Sequence, residues 1–150
     1  MNDIWKPHAT VAAIIERDNR FLMVEETAGG QTVFNQPAGH LDPNESLVEA
    51  AIRETQEETA WQFTPNYISG IYRWDQHSTN RCFLRVAFVG RCDNHNENQP
   101  LDNGIIRALW LSREALAAQP EKLRSPLVLR CIDDYLEGKK YPLELLTDIT

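Results

Sequence analysis

The sequence predicts an α+β fold, a mixed β-sheet between helices in an α/β/α arrangement, and three observations carry that reading. A chain of 150 residues is long enough to enclose one core without disulfides or structural metal, so a single domain over 1–150 is expected. The composition, 42% hydrophobic and 25% charged with 7 glycines and 8 prolines, is that of a globular protein rather than a fibrous or disordered one. Runs of β character lie on both sides of one long helical segment, and further helical segments follow the last of them, which is the order expected of a sheet covered by helices.

The elements follow in turn. His8 to Ile15, rich in small and β-branched residues, reads as a strand; Arg20 to Glu25 reads as a second, and Asp18-Asn19 marks the turn of a hairpin between them. Ala28-Gly29-Gly30 is another turn, and Gln31 to Phe34 a short third strand. Asn35 to Leu41 reads as a loop because of Pro37 and Gly39. Ser46 to Thr59 contains neither Gly nor Pro and is dominated by good helix formers; Asn44 or Ser46 would cap it. Its apolar members Leu47, Val48, Ala51, Ile52 and Thr55 recur at three- and four-residue spacing and form one stripe for burial. Tyr67 to Trp74 and Arg81 to Arg91 predict a second hairpin across the polar segment Asp75 to Asn80. Cys92 to Asn103 is polar and reads as an exposed loop before a last strand, Ile105 to Leu111. A short helix capped at Ser112 and a longer one over Leu127 to Leu136, ended by Gly138, complete the chain.

Bulk properties exclude several function classes. Cys82, Cys92 and Cys131 form no CxxC pair and leave one over, which argues against a disulfide framework and against a zinc site. Met1 to Pro7 lacks the basic start and apolar run of a signal peptide, and nothing later has the length of a membrane span, so a cytoplasmic protein without membrane contact is expected. A net charge of -7 provides no cationic excess with which to displace counterions from a nucleic-acid polymer.

Glu54, Glu57 and Glu58 are the residues that point to chemistry. At i, i+3 and i+4 on a helix their side chains converge within one turn, and like charges at that spacing cost a few tenths of a kcal/mol per pair. At about 100° per residue the patch centres beside the apolar stripe rather than opposite it, so the carboxylates sit at the edge of the core. Clustered carboxylate oxygens, with a backbone carbonyl from a nearby glycine loop, match the hard ligands that Mg²⁺ prefers. Arg53 is spaced to reach Glu49 and Glu57 and to orient a carboxylate. Geometry alone leaves two readings open, a metal site and a solvated acidic face.

Register goes further. Gly39, five residues, Glu45, seven residues, then Arg53-Glu54-Thr55-Gln56-Glu57-Glu58-Thr59-Ala60-Trp61 resembles the signature of the Nudix hydrolases. Thr55 departs from the aliphatic residue of that signature and Ala60 from its glycine, which puts a left-handed helix cap in doubt, since Ala is strained at positive φ. The resemblance implies the Nudix α/β/α sandwich, a divalent cation held by the Gly39 carbonyl with Glu54, Glu57 and Glu58, and Arg53 orienting the carboxylates with Glu45 supporting the loop. It implies Mg²⁺, with Mn²⁺ as a substitute, and attack of activated water on phosphorus. Glu57 is the candidate general base within the motif, with Glu97 or Asp102 as candidates outside it.

Further segments are similar to the bacterial Nudix phosphatase J group: Lys6-Pro7-His8, Gln36 to Leu41, Leu123 to Val128, and Tyr141 to Glu144. That similarity implies a phosphatase of nucleoside di- and triphosphates and thiamine-type diphosphates, acting on a small-molecule phosphate substrate as a monomer or homodimer. The alternatives are a pyrophosphohydrolase of another nucleoside-diphosphate-linked compound and a nucleotide sensor that does not cleave. Gln76 to Thr79 carry neither the proline typical of ADP-ribose hydrolases nor the tyrosine of diadenosine polyphosphate hydrolases. Trp74, ahead of Phe34 and Tyr72, is the candidate for stacking on a substrate ring. Arg124, ahead of Arg73, Arg81 and Arg85, is the candidate for phosphate contact, these strand arginines otherwise reading as solvated. His40 is the histidine nearest the expected metal.

Overall fold

The computed structural model describes residues 3–150; Met1 and Asn2, which open the amino-terminal stretch read above, lie outside them. The described chain runs β1 (His8–Ile14), β2 (Glu16–Arg17), β3 (Arg20–Ala28), β4 (Gln31–Asn35), β5 (Ala38–His40), α1 (Leu47–Thr59), β6 (Gln62–Gln76), β7 (Arg81–Asp93), β8 (Ile105–Leu111), α2 (Arg113–Ala117) and α3 (Leu127–Leu136). Short 3₁₀ turns lie at Pro120–Lys122 and Leu143–Leu145.

The α+β class and the mixed sheet between helices are as expected, and the strands divide into two sheets. The mixed sheet has the order β5-β1-β7-β6, with β1 parallel to β7 and the other pairs antiparallel. The second sheet is antiparallel and centres on β3, which pairs with β2, β4 and β8. Strand β7 is buried on both faces, as a strand between two helical layers must be. Val86 and Phe88 join Ala50 and Ala51 of α1 in one apolar cluster, while Ala87 and Val89 join Val128, Cys131 and Ile132 of α3 in another. Period-two alternation thus assigns successive β7 residues to opposite helices. The three cysteines are free thiols and buried. Among the described residues no helix is long and apolar enough to cross a membrane.

Several local expectations are corrected. The first hairpin joins β3 to the two-residue β2, and β1 belongs to the other sheet; Asp18 and Asn19 still form its turn, both at positive φ. The chain changes sheets at Ile15, whose carbonyl accepts from Leu22 N at 2.9 Å. The segment read as a loop between Asn35 and Leu41 contains β5, which pairs Ala38, Gly39 and His40 with β1. On α1, Ala50 and Thr59 are buried along with Ala51 and Thr55, whereas Leu47, Val48 and Ile52 are only partly so. Ala60 takes the left-handed cap conformation that its lack of glycine had put in doubt, at φ 63° and ψ 15°.

Candidate active site

The site is built where the second half of α1 meets β5, supported by the loop that precedes the helix. Ser46 caps α1: its hydroxyl accepts from Glu49 N at 3.1 Å, and the Glu49 carboxylate accepts from Ser46 N at 2.9 Å. This reciprocal capping box satisfies two amide donors that the helix itself leaves free. It also uses up Glu49, so the expected Arg53–Glu49 pair does not form.

Arg53 turns instead to Glu45. Its Nε and Nη2 donate to the two Glu45 oxygens at 2.9 and 2.8 Å, a bidentate pair that fixes the guanidinium plane. Glu45 is itself held by Asp42 N at 2.8 Å. The Arg53 hydrogen bond holds the Glu45 carboxyl below the usual carboxylate range against partial desolvation, and Glu45 in turn raises Arg53 further. The remaining Arg53 donors reach Glu54 at 2.9 Å, Glu57 at 3.2 Å and the His40 carbonyl at 3.0 Å. One guanidinium therefore ties the loop before α1 to β5 and to two of the three motif glutamates.

Each glutamate has a different environment. The Glu54 carboxylate lies against Gly39, where a Cβ would come within 2.1 Å of its Cδ. Burial pushes Glu54 above its ordinary value, with Glu57 and Asp102 adding to the rise and Arg53 opposing it. Glu58 is the most enclosed, accepting from Ala38 N at 2.9 Å. Burial, reinforced by Glu26, Glu54 and Asp102, pushes its carboxyl up to about 9 despite the Ala38 hydrogen bond. Glu57 is the most open of the three, and only its Oε2 meets Arg53.

Oxygens of Glu54, Glu57 and Asp102 all lie within 4.8 Å of one another. These are hard oxygen donors, and the desolvated carboxylates around them outnumber the nearby cations Arg53 and Arg124, so the residues fit a divalent cation of the Mg²⁺ type. Asp102 is brought to the cluster by a hydrogen bond from its N–H to the Glu57 carbonyl at 3.0 Å. The enclosed Glu58 and the exposed Glu97 both lie outside that group.

Of the other candidates, His40 on β5 and Trp74 on β6 stand at the two edges of the mixed sheet and are joined by a series of rings. His40, beside Gly39, meets His8 edge-on at 5.4 Å; His8 stacks on Phe83 at 5.2 Å, and Phe83 on Trp74 at 5.5 Å. Partial desolvation and then the nearby His8 push the His40 imidazole below its ordinary value. Trp74 and Arg124 share an open cavity of about 540 Å³ with His77, Leu123 and Ser125. Phe34 is buried in the core, and the Tyr72 hydroxyl is committed to Asp134 at 2.7 Å. Arg73 pairs with Asp75 on the surface.

Sequence reasoning missed two residues and misread a third. Glu26 on β3 is buried and pairs with Arg124; burial raises its carboxyl although Arg124 opposes the shift. Its signal was a second consecutive glutamate after the apolar run Phe21 to Val24, placed by period-two alternation on the same face as Leu22 and Val24. Gln36 is also buried and donates to the Val128 carbonyl at 2.8 Å. Arg85, read as a solvated strand residue, is buried, and donates to Gln36 at 3.0 Å and Asn35 at 3.3 Å. Its neighbours Leu84 and Val86 gave no indication of which face was covered by polar partners.

The family model described as the NUDIX domain matches residues 6–130. The chain is 41% identical over 145 residues to the Phosphatase NudJ of Escherichia coli strain K12, covering 97% of this chain and 94% of that one, and equally similar to the Phosphatase NudJ of Shigella flexneri. Among solved structures, a NUDIX hydrolase from Nitrosomonas europaea is 44% identical with a TM-score of 0.94, over 96% of this chain and 98% of that one. A MutT NUDIX hydrolase from Burkholderia pseudomallei, 16% identical with a TM-score of 0.74 over 87% of this chain and 98% of that one, shares the fold.

Proposed function

This chain belongs to the Nudix hydrolases, enzymes acting on phosphoric anhydrides, and from that premise we propose that it is an Mg²⁺-dependent phosphatase of nucleoside di- and triphosphates and thiamine-type diphosphates. The observation that carries the proposal is the contact between Gly39 and Glu54, which places a desolvated carboxylate against a strand backbone within reach of Glu57 and Asp102. The similarity to the Phosphatase NudJ proteins supports the phosphatase reading.

In this reading Glu54, Glu57, Glu58 and the Gly39 carbonyl hold the cation, with Mn²⁺ able to take its place. When bound, the cation activates water and neutralises charge on the anhydride oxygens. Arg53 keeps the carboxylates aimed, because its bidentate pair with Glu45 leaves the guanidinium one orientation in which to meet Glu54 and Glu57. Glu57 is the base: Arg53 engages only its Oε2, and Oε1 is left to take the proton from the attacking water. Asp102, whose carboxylate adjoins Glu57, is the alternative base, with the exposed Glu97 of the same segment as the other candidate.

The organic group then extends from His40 along the His8–Phe83–Trp74 ring series, and Arg124 stands at the far cavity to meet its polar atoms. The whole of residues 1–150 is read as one catalytic domain, working in the cytoplasm as a monomer or homodimer.

The test is product analysis. Thiamine diphosphate and a set of nucleoside di- and triphosphates, incubated with the protein and Mg²⁺, should release inorganic phosphate, and chelation should abolish release. Pyrophosphate as the product, or release that persists with chelator, would contradict the proposal.

A further inference from the structure

The C-terminal turn of any α-helix carries carbonyls with no partner in its own hydrogen-bond ladder. In α1 two such carbonyls, those of Glu57 and Ala60, are taken up by the segment between β7 and β8, which also reaches the Gln56 carbonyl that the cap N–H of Ala60 already engages at 2.9 Å. Asn96 N donates to the Ala60 carbonyl at 3.0 Å, and Asp102 N to the Glu57 carbonyl at 3.0 Å. Gln99 Nε2 donates to the Gln56 carbonyl at 2.7 Å, and Gln56 Nε2 donates back to Gln99 Oε1 at 2.7 Å. The His95 ring adds a contact with Trp61 at 4.6 Å between centroids.

The clasp has an electrostatic consequence. Asp102 would be expected to swing away from Glu54 and Glu57, since all three carry like charge when ionised and Asp102 is exposed. Its carboxylate nevertheless lies within 4.8 Å of both. The backbone bond of Asp102 and the two-bond Gln56–Gln99 lock, three residues earlier, fix where that side chain starts. Most of the intervening segment is exposed and supplies little packing of its own.

We propose that Gln99 is a positioning residue: through its lock with Gln56 it holds Asp102 as an additional oxygen ligand beside Glu54 and Glu57. The inference rests on the reading of α1 as a metal site. It assigns Gln99 no contact with metal or substrate. A lock that only caps the helix would stabilise the fold and leave cation affinity alone, which separates the two roles.

The test uses Mn²⁺ alone as probe, with binding to the full chain followed by the loss of the free-ion electron paramagnetic resonance signal. The variants are Glu57→Gln, Asp102→Asn, Gln99→Ala, and the double variant Gln99→Ala with Asp102→Asn. Asp102→Asn should weaken binding by about tenfold, and Gln99→Ala by about three- to tenfold, below the roughly ten- to hundredfold usual for residues that orient metal ligands because it cannot exceed the loss of Asp102 itself. The double variant should bind within about twofold of Asp102→Asn alone, because Gln99 acts only through Asp102. Gln56→Ala, which removes half the lock from the helix side, should reproduce the Gln99→Ala effect, and provides the same test if Gln99→Ala does not fold. Wild-type protein that binds no Mn²⁺, or Glu57→Gln that binds it unchanged, contradicts the metal reading itself and the role of Gln99 with it. If those two behave as expected, wild-type affinity in Asp102→Asn or Gln99→Ala overturns the role of Gln99 alone. Additive losses in the double variant do the same.

Discussion

The Glu54 carboxylate occupies the space that a side chain on residue 39 would need: a Cβ there would come within 2.1 Å of Glu54 Cδ. Glycine is thus required at position 39 for room and not for an unusual backbone angle, since Gly39 is not among the positive-φ residues. Gly39→Ala should cost little stability, because the group it displaces is the end of a flexible side chain. It should cost activity heavily, since a displacement of about 1 Å at a reacting centre lowers rates on the order of a hundredfold. Steady-state kinetics beside a melting curve checks this; full activity in Gly39→Ala would show that the position of Glu54 does not matter.

Ala60 holds a left-handed conformation at the end of α1, where an L-residue other than glycine loses about 1 kcal/mol or more. Ala60→Gly removes that strain but frees the unfolded chain and gives up a buried methyl group, so the net gain should be about 0.5 kcal/mol. A rise in the urea midpoint is expected. A fall would mean that the methyl packing outweighs the strain.

Asp134 on α3 is buried and accepts from Tyr72 at 2.7 Å, Lys139 at 2.9 Å and Arg130 at 3.1 Å. Burial alone would raise its carboxyl, but these three partners outweigh it and hold the group below its ordinary value. A depressed carboxylate contributes stability that is complete above its unfolded value, about 3.9, and is lost as pH falls through the folded value. Asp134→Asn should therefore destabilise by about 1–2 kcal/mol at pH 7 and by progressively less below about pH 4. Urea unfolding of both proteins at several pH values measures the difference. A gap that is constant with pH would contradict the ionised state of Asp134.

Trp74 ends the ring series that starts at His40. Its removal in Trp74→Ala should raise KM for ring-bearing diphosphates by about three- to tenfold, the amount that an aromatic contact of about 0.5–1.5 kcal/mol provides. The kcat should change little. Equal loss on a small aliphatic diphosphate would show that Trp74 acts through packing on Phe83 instead.

Much of the fold was legible because local signals agreed with the tertiary outcome. Ser46 and the run to Thr59 specified α1 by capping and propensity, and Ile105 to Leu111 specified β8 by its boundaries. The division into two sheets was not legible, since the crossing at Ile15 is a break of one residue inside continuous β character. Strand β5 was hidden for a similar reason: Ala38, Gly39 and His40 have no strand propensity, and pairing with β1 imposes their conformation. The carboxylates of α1 were visible as spacing, and Gly39 and Arg53 as register. Their connections were not: Arg53 chose Glu45 over Glu49 because the capping box had already claimed Glu49. Long-range partners left the faintest trace. Glu26 with Arg124, Arg85 with Gln36, and Asp102 on the Glu57 carbonyl join segments far apart in the chain, and no periodicity of one segment reports on another.

In the proposed reaction the carboxylates of α1 hold a divalent cation and Glu57 takes the proton from the water that attacks a phosphoric anhydride. Its most direct test is kcat/KM for phosphate release by Glu57→Gln against wild type at saturating Mg²⁺. The substitution preserves shape and removes one negative charge and the base. A loss of at least about a hundredfold, within the range of general-base catalysis, is predicted with the fold intact by melting temperature. Wild-type kcat/KM in Glu57→Gln would contradict it.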